Sequence, residues 1–83
     1  MVTISQNAIA TVKQLNDKLF EAEYELEAQQ RAVSKYRYYL AADATQETVM
    51  DLRGAIHNLR GKQKRVDELR QQLDQAIDNI WSL

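Results

Sequence analysis

Five branched aliphatics, Val12, Leu19, Leu26, Val33 and Leu40, recur every seven residues through the first half of the chain. A second row, Leu52, Leu59, Val66, Leu73 and Ile80, repeats the interval in the second half. Such a heptad is the mark of a helix packed lengthwise on another helix. In the first half the companion row is Ala8, Leu15, Ala22, Gln29 and Tyr36, polar only at Gln29. In the second half it reads as Val49, Ile56, Gln63, Arg70 and Ile77, polar at Gln63 and Arg70. Polar groups inside a seam either fix its register or snorkel to water at its edge.

The two halves are out of phase. Continuing the Val12 row beyond Leu40 would place Glu47, Gly54 and Gly61 in the seam, whereas the apolar rows resume at Val49 and Leu52. Those offsets are two and five residues, not the three or four that a continuous coiled coil absorbs. A turn is therefore predicted at 42–45, between a helix over 3–41 and a second over 45–82. Thr3 followed by Gln6 forms a candidate capping box at the first start, and Asp43 or Thr45 can cap the second. Gln46 and Glu47 suit the first turn of the second helix, through capping and the helix dipole. About 38 residues at 1.5 Å each give a first helix about 57 Å long.

Folding the helices antiparallel about this turn pairs seam residues whose numbers sum to 85. Val33 then faces Leu52, Leu26 faces Leu59, Leu19 faces Val66, and Val12 faces Leu73. Gln29 comes opposite Ile56, Gln63 opposite Ala22, and Arg70 opposite Leu15. The flanking charges test this register independently of the apolar pattern. They place Glu23 beside Arg60 and Glu25 beside Lys62, with no like-charge pair at equivalent positions.

Two helices bury one stripe each, and several apolar residues fall outside the shared stripe. Ile4, Leu69, Ala76 and Leu83 line one flank near the termini, with Val2, Ile9 and Trp81 on the other. Tyr38, Tyr39 and Met50 lie near the turn. Contiguous exposed apolar surface marks an interface. Val2, Ile9, Leu69, Ala76, Trp81 and Leu83 are the expected protein contact, and Tyr38 and Tyr39 a second one. Gly54 and Gly61 stand seven apart on the face of the second helix turned away from the first, and Ala55 beside them adds to the small surface expected there. A small-residue stripe there admits another backbone closely, or marks a solvent face where helix stability is not limiting.

Composition agrees with helix throughout: 83 residues, no proline, two glycines, and abundant Ala, Leu, Gln, Glu, Lys and Arg. A chain this short forms a self-sufficient core with difficulty, and without cysteine it has neither disulfides nor thiolate metal sites to help. Association is the remaining route. Eleven basic and twelve acidic side chains leave a formal charge of -1, which removes the electrostatic pull expected of a general nucleic-acid or membrane-surface binder. The start MVTISQNAIATVKQL has no basic n-region and no apolar run of signal length, so a soluble, cytoplasmic protein is expected.

Candidate chemistry is sparse. His57, the only histidine, has no second ligand or nucleophile in its pattern. Glu21, Glu23, Glu25 and Glu27 alternate every second residue, so a helix spreads them around its circumference and no paired-carboxylate site forms. No phosphate loop or catalytic triad pattern occurs. The one chemically rich cluster is Lys35-Tyr36-Arg37-Tyr38-Tyr39, with Arg31 earlier on the same helix and Arg53 on the returning helix. Rings interleaved with guanidinium groups stack bases and hold phosphates, and they equally anchor protein interfaces.

The sequence thus predicts an all-α, antiparallel two-helix hairpin, completed to a four-helix bundle by association. Its expected role is non-enzymatic: binding of a protein partner, self-association, or both, with no metal and no cofactor. Hairpins of this kind serve as adaptors, co-chaperones and inhibitors, some of them phage-encoded, and that step is fold-level analogy. The alternative is an oligomeric binder of an anionic nucleotide or nucleic acid through Arg37, Tyr38, Tyr39 and Arg53.

Overall fold

A computed structural model describes residues 4–81, with side chains described over 4–80. Two helices account for nearly all of it: α1, Gln6–Ala42, and α2, Gln46–Trp81. They pack antiparallel as a hairpin 64 Å long and only 15 by 14 Å across. The radius of gyration, 18.8 Å, compares with about 12 Å for a compact domain of this length. The chain is therefore a rod with one line of internal packing.

Local hydrogen bonding sets the helix ends. Ser5 caps α1, its side chain accepting the Ala8 amide at 3.1 Å. Thr3, expected in that role, lies outside the described residues. At the other end Asp43 leaves helical geometry for extended backbone, and its N–H donates to the Tyr39 carbonyl at 2.9 Å. Thr45 then opens α2 through a reciprocal box: the Thr45 hydroxyl accepts the Thr48 amide at 3.1 Å, and the Thr48 hydroxyl accepts the Thr45 amide at 2.9 Å. The Thr48 hydroxyl proton faces the carbonyls of Asp43 and Thr45, at 3.0 and 2.9 Å. Short polar side chains that bond nearby backbone break the helix here without glycine or proline.

Between the helices, the buried residues among those described are Leu19, Ala22, Leu26, Ala55, Val66 and Leu69. Leu15, Leu59 and Leu73 pack against this cluster. The first-helix rows face inward as expected. So does the Leu52 row of α2, with Val66 fully buried and Leu52, Leu59, Leu73 and Ile80 partly covered.

The companion row of α2 is different from the expected one. Ala55 and Leu69 are buried and Lys62 and Ala76 half-buried, whereas of the expected row Ile56 and Gln63 are half-buried and Val49, Arg70 and Ile77 exposed. The inward residues lie three beyond the Leu52 row, not four. The expected row would carry the Arg70 guanidinium into apolar surroundings, and removing such a charge from water is costly. In the observed phase Arg70 stays at the edge, where Nη2 meets Glu23 Oε2 at 3.1 Å. Glu23 thus pairs with Arg70, not with Arg60.

The second expected ion pair forms: Lys62 Nζ lies 3.1 Å from Glu25 Oε2. Gln29 is the one seam glutamine with a cross-helix bond, its Nε2 donating to the Ala55 carbonyl at 3.0 Å. Gln63 instead bonds Asp67 one turn along its own helix, at 3.0 Å. Gln29–Ala55, Glu25–Lys62 and Glu23–Arg70 have position sums of 84, 87 and 93, so two of the three cross-helix bonds lie beyond the expected 85. No buried side-chain nitrogen or oxygen among the described residues lacks a partner. No described helix is long and apolar enough to cross a membrane.

Candidate interaction surface

Most apolar residues left uncovered by a single seam fall into three groups, with Val49, Met50 and Ile77 exposed apart from them on α2. At the open end of the hairpin, Ile4, Ala8, Ala76 and Ile80 line a groove of about 400 Å³ between the helix ends. Ile9 is exposed on α1. Leu69, expected on this surface, is 1% exposed and belongs to the hairpin's own core. Its inward position follows from the phase of α2, and no partner can reach it while the hairpin is closed. Val2, Leu83 and the side chain of Trp81 lie outside the described part of the chain.

Near the turn, Tyr36, Tyr38 and Tyr39 form a short chain of edge-to-face rings. The Tyr36–Tyr39 centroids are 6.3 Å apart and those of Tyr38–Tyr39 6.4 Å. The cation over the Tyr39 ring is Lys35, at 5.7 Å from its centroid, within the range of a cation–π contact. Arg53 lines a separate groove with Val49, Leu52, Ile56, His57 and Arg60, to which no tyrosine contributes. Arg37 follows Tyr36 and precedes Tyr38 on α1, so successive side chains point about 100° apart. Tyr38 and Tyr39 share one ring cluster, whereas Arg53 opens onto another surface.

Gly54 and Gly61 border grooves beside α1, Gly54 with Gln29, Ala32 and Tyr36, and Gly61 with Glu25 and Gln29. A methyl group added at either glycine would meet nothing within 4 Å. No close approach within the hairpin requires these glycines.

The third group is one that the heptad count passes over. Phe20 and Tyr24 are 66% and 69% exposed, and Tyr38 is 72% exposed. All three sit on α1, on a row that runs 20, 24, 27, 31, 34, 38, five residues on from the seam row and so about 140° round the helix. Its members are Phe20, Tyr24, Glu27, Arg31, Ser34 and Tyr38, all exposed. The 4-3-4-3-4 spacing is itself a seam spacing, and that signal was available in the sequence. Its two charged central members hide it from a search for apolar runs.

Among the described residues no three His, Cys, Asp or Glu side chains gather as a metal site would require. The surface offers rings, guanidinium and carboxylate groups on a straight scaffold, a set suited to contact with another macromolecule. The chain matches no protein-family model, no curated protein and no solved structure.

Proposed function

We propose that the hairpin is a non-enzymatic interaction module, of the adaptor, co-chaperone or inhibitor kind, that engages protein through the outer face of α1. The observation that carries this reading is the exposure of Phe20, Tyr24 and Tyr38 on one row opposite the seam. Large rings gain most from leaving water, and each buries on the order of 150–250 Å² when covered. A solitary ring on a helix surface needs no explanation, but three on one face at seam spacing favour a contact surface. The neighbouring Glu27 and Arg31 add the polar specificity that such contacts use.

A photo-crosslinking residue, p-benzoylphenylalanine, placed at position 20 in the living cell tests this. It is expected to trap protein adducts there, and far fewer when placed at position 75, an exposed site on α2. Equal yields at both positions, or none at either, would count against the reading. Adducts to nucleic acid in place of protein would favour the nucleotide alternative.

A further inference from the structure

We infer that the outer row of α1 pairs with the same row of a second copy, antiparallel, about a two-fold axis at the level of residue 29. This rests on the interaction-module reading and names its partner. The argument begins with surface. The chain exposes 6660 Å², whereas a compact monomer of 9.6 kDa exposes about 5,100 Å². A stable pairwise contact removes about 800 Å² from each partner, which the excess accommodates.

Charge then selects the partner. Between residues 21 and 37 of α1 the acidic residues Glu21, Glu23, Glu25 and Glu27 precede residue 29 and the basic residues Arg31, Lys35 and Arg37 follow it, while Lys13, Asp17 and Lys18 lie further toward the helix start. The outer row is also symmetric in position about residue 29: 27 with 31, 24 with 34, 20 with 38. In an antiparallel pair centred there, each Glu27 meets Arg31 of the other copy, and each Phe20 meets Tyr38. Flanking positions of antiparallel helices pair with their own kind. That sets Glu21 against Lys35 and brings Arg37 toward Glu23, whose carboxylate already holds Arg70 within the hairpin, while Ala28 meets Ala28 and Gln30 meets Gln30 at the centre. Every charged pair is of opposite sign.

The other orientation fails on the same residues. A parallel pair through this row brings Glu27 against Glu27 and Arg31 against Arg31, repulsions that disfavour it. Shifting the antiparallel axis to residue 22 sets Asp17 against Glu27 and Lys13 against Arg31. Residue 29 is the centre at which the rings cap both ends and the charges agree. Because the two faces of α1 are about 140° apart, against about 90° in a square bundle, the four helices form an open row with α1 and its copy in the middle.

Sedimentation equilibrium with charge reversals tests pairing and register together. The wild-type chain is expected to be a dimer. Glu27→Arg and Arg31→Glu should each raise the dimer dissociation constant about tenfold, since each places two like-charge contacts in a symmetric interface. Circular dichroism should show both variants still helical as monomers. Mixed together, the two variants should form a heterodimer about as tight as the wild-type pair, because every reversed side chain then meets its opposite. Loss of a pair within one helix cannot produce that preference.

A wild-type chain that stays monomeric up to about 1 mM overturns the proposal. So does a mixture in which the variants show no preference for each other. The outcomes separate from those of the broader reading. A monomeric chain that still crosslinks at position 20 to a protein of another mass overturns self-pairing alone, while absence of any adduct with a monomeric chain overturns both.

Discussion

Glu23 and Arg70, 47 positions apart in the chain, meet at 3.1 Å across one edge of the helix seam. The contact shows which face of α2 turns inward: with Arg70 at the edge, its neighbour Leu69 points into the core and is almost fully buried. Stability should follow this phase. Leu69→Ala is expected to cost about 2–4 kcal/mol, through lost burial and the cavity left behind. Arg70→Ala should cost less than about 1 kcal/mol, since the pair is half exposed and screened by water. Urea denaturation at one fixed chain concentration checks the order, and a costlier Arg70→Ala would mean that the helix phase is wrong.

Ala55 tests how closely the helices approach. It is buried, and its carbonyl accepts the Gln29 amide in addition to its place in the helix. Ala55→Leu should destabilise by about 1–3 kcal/mol, because added methylenes must push the helices apart or adopt strained rotamers. The thermal midpoint of the variant beside that of the wild type is the measurement.

One residue away, the opposite outcome is expected. Gly54→Ala and Gly61→Ala should each stabilise by up to about 1 kcal/mol, since alanine is the better helix former and the added carbon has open space. The sedimentation mass should not change. A gain in helix stability accompanied by lost association would instead assign these glycines to a contact with another chain.

The turn depends on two hydroxyls. Thr45→Ala removes the acceptor for the Thr48 amide and should cost about 1 kcal/mol. Thr48→Ala removes the reciprocal acceptor and the bond to the Asp43 or Thr45 carbonyl. Because the two side chains act as one unit, the double variant should cost less than the sum of the singles. A set of thermal melts on the two single variants and the double would detect strict additivity, which would deny the coupling.

Much of the architecture could be read from residues alone. Heptad rows such as Val12 to Leu40 and Leu52 to Ile80 must face something, and their mismatch in phase required a turn near Thr45. Antiparallel folding follows from so short a connection. The Glu25–Lys62 pair was legible because both residues flank the apolar rows at matching depth. These are consequences of helix periodicity, which is a local property of the backbone.

The choice between two flanks of α2 was not local. Ala55, Leu69 and Ala76 on one side compete with Val49, Ile56 and Ile77 on the other, and a count of hydropathy favours the larger side chains. The structure turns Ala55, Leu69 and Ala76 inward, with Lys62 reaching Glu25 at one edge of the seam and Arg70 reaching Glu23 with its head in water. The outer row of α1 was missed for a related reason: Glu27 and Arg31 interrupt its apolar pattern. The sequence by itself determined two helices, their turn and the first seam. Which side of α2 closes that seam was decided only when both helices had to share one narrow interface.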